Sequence, residues 1–190
     1  MKYNSNIIKN NIIEIVTSMG YEIRMSESIV NLFNYMDEKL LFGGCHALSA
    51  VLYVVLSELG FNPVLYIGEC EKEGIKPFDH SWITIDDKII DLAIYMPLTQ
   101  IYNSISGPII LNIDAISKCK VNTSYGINTG LPLSDSTLFA INTPFVEYMN
   151  EFPFEIDGLW TVAKKISPSI SLSIDELVEK YKNTQRKLVR

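Results

Sequence analysis

Three stretches in the first third of the chain carry apolar residues at helical spacing. Residues 5–19 and 26–40 each show one apolar face, and Ser26 is of a residue type that caps helices. Residues 45–59 are apolar on nearly every side and are followed by Gly60. A helix of that kind is covered on all sides in a folded protein. The pattern therefore predicts two amphipathic helices followed by one buried central helix.

The pattern then changes to runs that are typical of β-strands. A polar stretch at residues 71–77 indicates a loop, and the pair Asp86-Asp87 has the form of a two-residue hairpin turn. The runs around them are rich in β-branched and aromatic residues and cover positions 64–68, 80–85 and 88–94. We predict a strand at each position, with the last two joined as a hairpin.

The second half of the chain carries a weaker pattern. Residues 109–113 and 137–141 are predicted to be strands, and residues 121–136, rich in Asn, Thr, Ser and Gly, are predicted to be a long loop. The sequence contains no internal repeat and no linker, and 190 residues are enough to bury a core. We therefore expect a single domain over residues 1–190.

Two further helices are indicated near the C-terminus. Pro144 follows Thr143 and is expected at the first position of a helix, while Ser173 and Glu176 have the spacing of a capping box. The basic residues at positions 186–190 are expected to be the solvated end of the last helix.

Composition and charge exclude several classes of function. The net charge of −6, with no basic cluster before the last five residues, argues against a nucleic-acid surface. Three widely spaced cysteines, Cys45, Cys70 and Cys119, indicate a reducing compartment, and we expect the last two to be structural. Because the N-terminus lacks the apolar region of a signal peptide, we expect a cytoplasmic protein without a membrane partner. No cysteine or histidine spacing predicts a metal site, and we expect no cofactor.

Cys45 is the strongest candidate for chemistry in the chain. Gly43 and Gly44 precede it, free the backbone for a close approach, and place the cysteine at the first turn of the buried helix. The unpaired N–H groups and the positive end of the helix dipole favour the thiolate, which is the nucleophilic form of cysteine. The alternative interpretation is that Cys45 is a small residue of the core.

A nucleophilic cysteine needs a base, and the base needs an orienting group. Of the two histidines, His46 lies about 100° round the helix from the thiol and is not expected to face the same site, which leaves His80. If Ile85 pairs with Lys88 across the hairpin turn, Asp91 lies diagonal to His80 on the same face of the sheet. The residues therefore predict a nucleophile, a base and an orienting carboxylate in that order along the chain.

These residues resemble the core of the transglutaminase-like cysteine superfamily. The likeness covers residues 43–92 and is carried by Cys45-His46-Ala47-Leu48-Ser49-Ala50, Gly68, His80-Ser81-Trp82 and Asp91. The resemblance implies a papain-like α+β fold, in which the cysteine-bearing helix packs on an antiparallel sheet and the site lies at their junction. The apolar pattern and the capping signals add N- and C-terminal helices to it. The resemblance also implies that Cys45 is the nucleophile, His80 the base and Asp91 the orienting group.

The chain departs from the family pattern at several positions. Leu92 stands where the family often has a proline, and Val64 lies in the region of a common arginine. No glutamine precedes Cys45, so the side-chain oxyanion donor of papain-type proteases is missing. We expect the Cys45 backbone N–H to be one oxyanion donor, leave the second unassigned, and expect Gly44 and Trp82 to border the site.

Two narrower likenesses bear on the activity. The segment Pro77-Phe78-Asp79-His80-Ser81-Trp82 resembles small bacterial transglutaminase-like proteins such as lasso-peptide leader proteases. Arylamine N-acetyltransferases also have two glycines before a cysteine, but the Glu and Asn that follow their cysteine are absent from this chain.

The expected activity is cysteine-dependent acyl transfer from an amide or thioester carbonyl of a peptide or protein substrate. The acyl group would pass to water, as in a peptidase or deamidase, or to an amine, as in a transglutaminase. Two alternatives are a non-catalytic binding domain that retains the fold and a structural domain with Cys45 in its core. The reactivity of the thiol separates the enzyme from the structural domain.

Overall fold

The computed structural model describes residues 4–98 and 106–190 of the chain, so residues 1–3 and 99–105 lie outside the description below. The described residues form an α+β fold. Its helices are α1 (Ser5–Ser18), α2 (Ile23–Lys39), α3 (Cys45–Glu58), α4 (Asp135–Asn142), α5 (Phe145–Asn150), α6 (Gly158–Ile166) and α7 (Ile174–Tyr181), with a 3₁₀ turn at Ala93–Tyr95.

One open sheet contains all the strands of the described residues. The strands are β1 (Val64–Lys72), β2 (Ile75–Ile85), β3 (Lys88–Asp91), β4 (Ile109–Ile110), β5 (Ile113–Asp114), β6 (Ser124–Ile127) and β7 (Lys187–Val189). Their order is β5-β4-β3-β2-β1-β6, with antiparallel neighbours, and β7 pairs with β1 in parallel. The expected antiparallel sheet is therefore present, with one parallel strand added at its edge.

Helix α3 is covered on all sides, as its continuous apolar sequence predicts. It contacts strands β1 and β2 of the sheet and helices α2 and α6. Eleven of its fourteen residues are buried, including Leu52 and Leu56. The core around it extends from Ile8 in α1 to Tyr181 in α7. Burial of this helix holds its first residue, Cys45, against the sheet.

The first helices begin close to their predicted positions. Helices α1 and α3 start where the apolar pattern does, whereas α2 begins before Ser26, at Ile23, with Glu22 at its N-cap. The Ser26 hydroxyl instead donates to the Ile23 carbonyl at 2.8 Å, which is a bond made inside a helix. The predicted cap at Ser26 is therefore wrong.

The hairpin between β2 and β3 forms as predicted. Asp86 and Asp87 have φ angles of 48° and 59°, and Ile85 pairs with Lys88. Two consecutive positive φ angles match the right-handed twist of the strands. The loop predicted at residues 71–77 is wrong, because β1 and β2 continue into a second hairpin that turns at Gly74.

The second half of the chain corrects several predictions. Residues 109–113 form not one strand but the start of a hairpin, β4–β5, and a short strand, β6, lies inside the loop predicted at 121–136. Residues 137–141 lie in helix α4 rather than in a strand. The buried positions of this segment, Thr137 and Ala140, are three residues apart, which is a helical and not a strand spacing.

The C-terminal part combines a confirmed cap with an unforeseen strand. The capping box of Ser173 and Glu176 opens α7, while Pro144 is the N-cap of α5 and not its first residue. The sequence pattern did not predict helix α6. The basic segment after α7 is not a helix end, because Lys187–Val189 pairs with β1 as strand β7.

No helix within residues 4–98 and 106–190 combines the length and the hydrophobicity needed to cross a bilayer.

Candidate active site

Cys45 lies at the junction of the central helix and the sheet. It is the first residue of α3, Gly44 is the N-cap, and Gly43 turns with a φ of 68° while its N–H donates to the Met96 carbonyl at 2.9 Å. At the first helical position the Cys45 backbone N–H has no carbonyl of its own helix to bond. Cys45 borders a cavity of about 500 Å³.

His80 and Asp91 meet on the neighbouring hairpin. His80 lies in β2 and Asp91 ends β3, and the register set by the turn puts Asp91 diagonal to His80, as predicted. His80 Nε2 lies 2.8 Å from Asp91 Oδ2, and both side chains are buried. With Nε2 engaged by the carboxylate, Nδ1 is the nitrogen left to face the thiol. The structure thus brings together the three side chains predicted as nucleophile, base and orienting group.

Asp91 is held by more than His80. Its Oδ1 accepts from the Ile94 backbone N–H at 3.2 Å, where the chain leaves β3 for the 3₁₀ turn, and its Oδ2 also accepts from the Tyr125 hydroxyl at 2.8 Å. Tyr125 lies in β6, inside the stretch predicted as a loop. The one signal that could have singled it out is that it is the only aromatic residue between positions 121 and 136.

The electrostatics of the site favour a thiolate beside an imidazolium. Burial alone raises the pKa of Cys45, but the charges of His80 and then His46, with hydrogen bonds from both rings, lower that pKa to about 5. Burial lowers the pKa of His80, but the charges of Asp91 and Cys45 and the hydrogen bonds to both raise it to about 10. The pair is therefore ionised across the neutral pH range.

The expectation that His46 points away from the site is wrong. Its imidazole borders the same cavity as the Cys45 thiol and is close enough to lower the pKa of that thiol. His46 Nδ1 lies 2.6 Å from the Ser81 hydroxyl oxygen, and Nε2 lies 3.4 Å from Thr137 Oγ1 in α4. Because both residues begin the helix, their side chains extend toward the same open end in spite of the 100° step between them.

Trp82 lies in the core behind the site and does not line the main cavity. Its indole stacks on Tyr66, with ring centroids 5.5 Å apart, and meets the Tyr125 ring edge-on at 5.0 Å. It therefore supports the tyrosine that bonds Asp91. Of the two glycines before Cys45, Gly43 lines the cavity, while Gly44 packs beside Leu41 at the helix N-cap.

The cavity beside Cys45 has apolar walls and a few charged groups. Glu69, Lys76 and Asp79 come from the β1–β2 hairpin, and Asp79 accepts from the Ser134 backbone N–H at 2.5 Å. Glu69 is buried and faces Arg190 Nε at 3.7 Å. The apolar walls are contributed by Ile75, Phe78, Ile94, Leu98, Leu131 and Pro132. This lining suits a largely apolar ligand better than a polyanion.

The other two cysteines do not line the cavity beside Cys45. All three cysteines are free, Cys70 is buried in β1, and Cys119 is exposed. Burial, followed by the charge of Asp91, holds the pKa of Cys70 well above its ordinary value, so Cys70 stays a neutral thiol. Across residues 4–98 and 106–190, no group of three or more His, Cys, Asp or Glu side chains is placed to hold a metal ion.

Comparison of the chain with models of known families, with curated proteins and with solved structures finds no significant match. The geometry of the site is therefore the basis for assigning a function.

Proposed function

We propose that this protein is a cysteine-dependent acyl-transfer enzyme that acts on an amide or thioester carbonyl through Cys45, His80 and Asp91. The observation that carries the proposal is a cysteine at the start of a buried helix, with its thiol pKa lowered to about 5, facing a histidine that is fixed by a buried carboxylate. Perturbed pKa values in a cavity are typical of catalytic groups.

The reaction follows from the protonation states of the pair. The Cys45 thiolate attacks the carbonyl carbon, and the carbonyl oxygen takes the negative charge. The His80 imidazolium gives its Nδ1 proton to the leaving amine as the carbon–nitrogen bond breaks, which leaves a thioester on Cys45. In the second half His80 takes a proton from water, the hydroxide attacks the thioester, and the released thiolate restores the starting pair.

Asp91 orients the base in this scheme. Its carboxylate holds His80 Nε2 at 2.8 Å, so the ring presents Nδ1 to the sulfur throughout the cycle. The Ile94 N–H and the Tyr125 hydroxyl in turn hold the carboxylate. Such support keeps the reacting groups aligned without reorganisation during the reaction.

We propose a peptide or protein amide as the substrate, on the chemistry of the cavity together with the resemblance. The mixed apolar and charged cavity fits a short peptide segment, and the order Cys, His, Asp supports a place for the chain in the transglutaminase-like superfamily. We propose water as the acceptor, with transfer to an amine as the alternative.

The reactivity of Cys45 tests the proposal without a known substrate. In a Cys119→Ser background, we expect iodoacetamide to modify Cys45 alone, with a rate that rises through about pH 5 as the thiol ionises and then stays level through neutrality. In His80→Ala the rise should move toward the ~8.5 of a free thiol, because the counter-charge is gone. Mass spectrometry locates the label.

Two outcomes would decide against the enzyme. Slow labelling of Cys45 with an ordinary thiol pKa would support the structural domain, and a low thiol pKa unchanged in His80→Ala would remove the proposed base. Once an acylating probe is found, adding a primary amine separates water from amine as the acceptor, because only a transferase yields the amide at the expense of hydrolysis.

A further inference from the structure

We infer that His46 is a catalytic residue that supplies the second oxyanion donor, through its Nε2–H, beside the Cys45 backbone N–H. The inference rests on the proposed function. It assigns a role to the buried imidazole of His46, which the nucleophile, the base and the orienting carboxylate leave unused.

The position of His46 satisfies the first requirement of an oxyanion donor, which is proximity to the sulfur. Its ring borders the same cavity as Cys45, and the two residues are consecutive at the start of α3. When the sulfur bonds a carbonyl carbon, the carbonyl oxygen lies one bond further away. A donor that reaches the sulfur is therefore within reach of that oxygen.

The contacts of His46 satisfy the second requirement, which is a fixed N–H. The Ser81 hydroxyl lies 2.6 Å from Nδ1, a distance typical of a short hydrogen bond. A charged ring carries a proton on both nitrogens, and a neutral ring that accepts from this hydroxyl at Nδ1 carries its proton on Nε2, so Nε2 has an N–H in either state. Nε2 lies 3.4 Å from Thr137 Oγ1, a distance that is long for a hydrogen bond and leaves the N–H available to a substrate.

The two histidines beside the Cys45 sulfur therefore have different roles. His80 is tied to a buried carboxylate and carries the proton for the leaving group, whereas His46 is tied to a neutral hydroxyl. A donor that is already oriented stabilises an oxyanion without having to give up its proton. This arrangement also supplies the side-chain donor that a glutamine before the cysteine would otherwise provide.

Two probes distinguish an effect of His46 on the oxyanion from an effect on the nucleophile. Iodoacetamide alkylates the thiolate in a single displacement that forms no oxyanion. With p-nitrophenyl acetate, the thiolate adds to the carbonyl, the oxygen becomes an oxyanion, and its collapse expels p-nitrophenolate and leaves acetyl-Cys45. Both rates are taken on the plateau above the thiol pKa, in a Cys119→Ser background, so that the thiolate fraction does not differ between variants.

In His46→Leu we expect the acylation rate to fall about 10²-fold, the usual cost of one oxyanion donor, while the alkylation plateau stays within about threefold. His46→Gln keeps an N–H and should recover most of the acylation. Ser57→Ala, at the far end of the same helix, where the hydroxyl donates to the Tyr53 carbonyl, should leave both rates unchanged.

Equal losses of both rates in His46→Leu would overturn the inference, since His46 would then maintain only the nucleophile, and so would no loss of either. If His46→Leu does not fold, Ser81→Ala decides, because it leaves the ring but removes its anchor: a selective loss of acylation supports the donor, and unchanged acylation overturns it. Failure of the proposed function looks different. In that case wild-type Cys45 itself shows an ordinary thiol pKa.

Discussion

Asp91 is the residue that most strongly raises the pKa of His80 in the candidate site. It is a buried carboxylate with three donors, namely His80 Nε2, the Tyr125 hydroxyl and the Ile94 N–H. A buried carboxylate without such partners would cost several kcal/mol or become protonated. Its charge is the largest favourable influence on the raised pKa of His80, which in turn lowers the pKa of Cys45.

Asp91→Asn tests this chain of influence. Without the carboxylate charge, the pKa of His80 should fall, the thiolate should lose its counter-charge, and the alkylation profile of Cys45 should move toward ~8.5. Turnover of any substrate should fall by about 10²–10⁴-fold. Asp87→Asn, in the turn of the same hairpin, serves as the control. An unchanged thiol pKa in Asp91→Asn would show that His80 is charged for another reason.

Tyr125→Phe separates stability from reactivity at the same carboxylate. Loss of a hydrogen bond to a buried charge should lower the free energy of unfolding by about 1.5–3 kcal/mol, measured by urea denaturation. His80 keeps its charged partner, so the alkylation profile should move little. Tyr66→Phe, whose ring stacks on the same Trp82, is the matched control. A large shift of the thiol pKa in Tyr125→Phe would place the tyrosine in the proton chemistry itself.

For the proposed enzyme, the pH dependence of turnover follows from the pKa values of Cys45 and His80. Below about pH 5 the Cys45 thiolate is protonated and the nucleophile is lost, and above about pH 10 His80 loses the proton that the leaving amine needs. We expect a bell-shaped profile with a broad neutral maximum, to be measured as kcat/KM on a peptide amide substrate. A single acidic limb with no alkaline fall would contradict the role of His80 as the proton donor.

At the scale of elements, the β2–β3 hairpin positions His80 and Asp91 on one face of the sheet, because its turn sets the register of the two strands. A slip of one residue would move Asp91 to the opposite face, away from His80. Both turn residues have positive φ angles, and Asp86 also accepts from the Tyr21 hydroxyl at 2.7 Å. The turn is therefore tied to the helical layer as well as to its own strands.

Asp87→Gly should strengthen this turn. Glycine adopts the φ of 59° without strain, and Asp-Gly is a preferred pair for this turn type, so we expect a gain of about 0.5 kcal/mol in the free energy of unfolding. Gly74→Ala, with a φ of 80° in the β1–β2 turn, should have the opposite sign. Urea denaturation measures both. A loss of stability in Asp87→Gly would mean that the aspartate makes a contact worth more than the strain.

Strand β7 depends on a glycine of β1. A Cβ built on Gly68 would overlap the Val189 carbonyl oxygen, so Gly68→Ala should displace β7 and cost about 1–3 kcal/mol. In a chain shortened to end at Arg186, the same substitution should be nearly neutral. This double-mutant comparison isolates the contact. Equal costs in both chains would show that the strain lies within β1 and β2.

At the scale of the whole molecule, one core joins the helices to the sheet that holds the site. Trp82 is buried in β2 beside Tyr125, and Trp160 is buried in α6 among the helices. In single-tryptophan variants, we expect fluorescence and far-UV circular dichroism to report the same urea midpoint, and buried Cys70 to become reactive only in that transition. Separate midpoints would show that the helical and sheet parts unfold independently.

The sequence by itself determined the local features of this protein. The starts of α1 and α3, the capping box of α7, the Asp86-Asp87 turn and hence the pairing of His80 with Asp91 all depend on neighbours within a few residues. Such features follow from backbone geometry and from the alternation of side chains. That is why the pairing of His80 with Asp91 could be predicted before the fold was known.

Only the tertiary structure decided the partners that come from a distance. Tyr125 reaches Asp91 across 34 residues of sequence, Thr137 reaches His46 across 91, and β7 joins β1 from the end of the chain. Short strands such as β6 and β7 exist because a partner edge is available, and their own residues show no pattern that demands pairing. The orientation of His46 likewise depends on its contact with Ser81 across the helix–sheet junction. The spacing of residues along the helix carries no information about that contact.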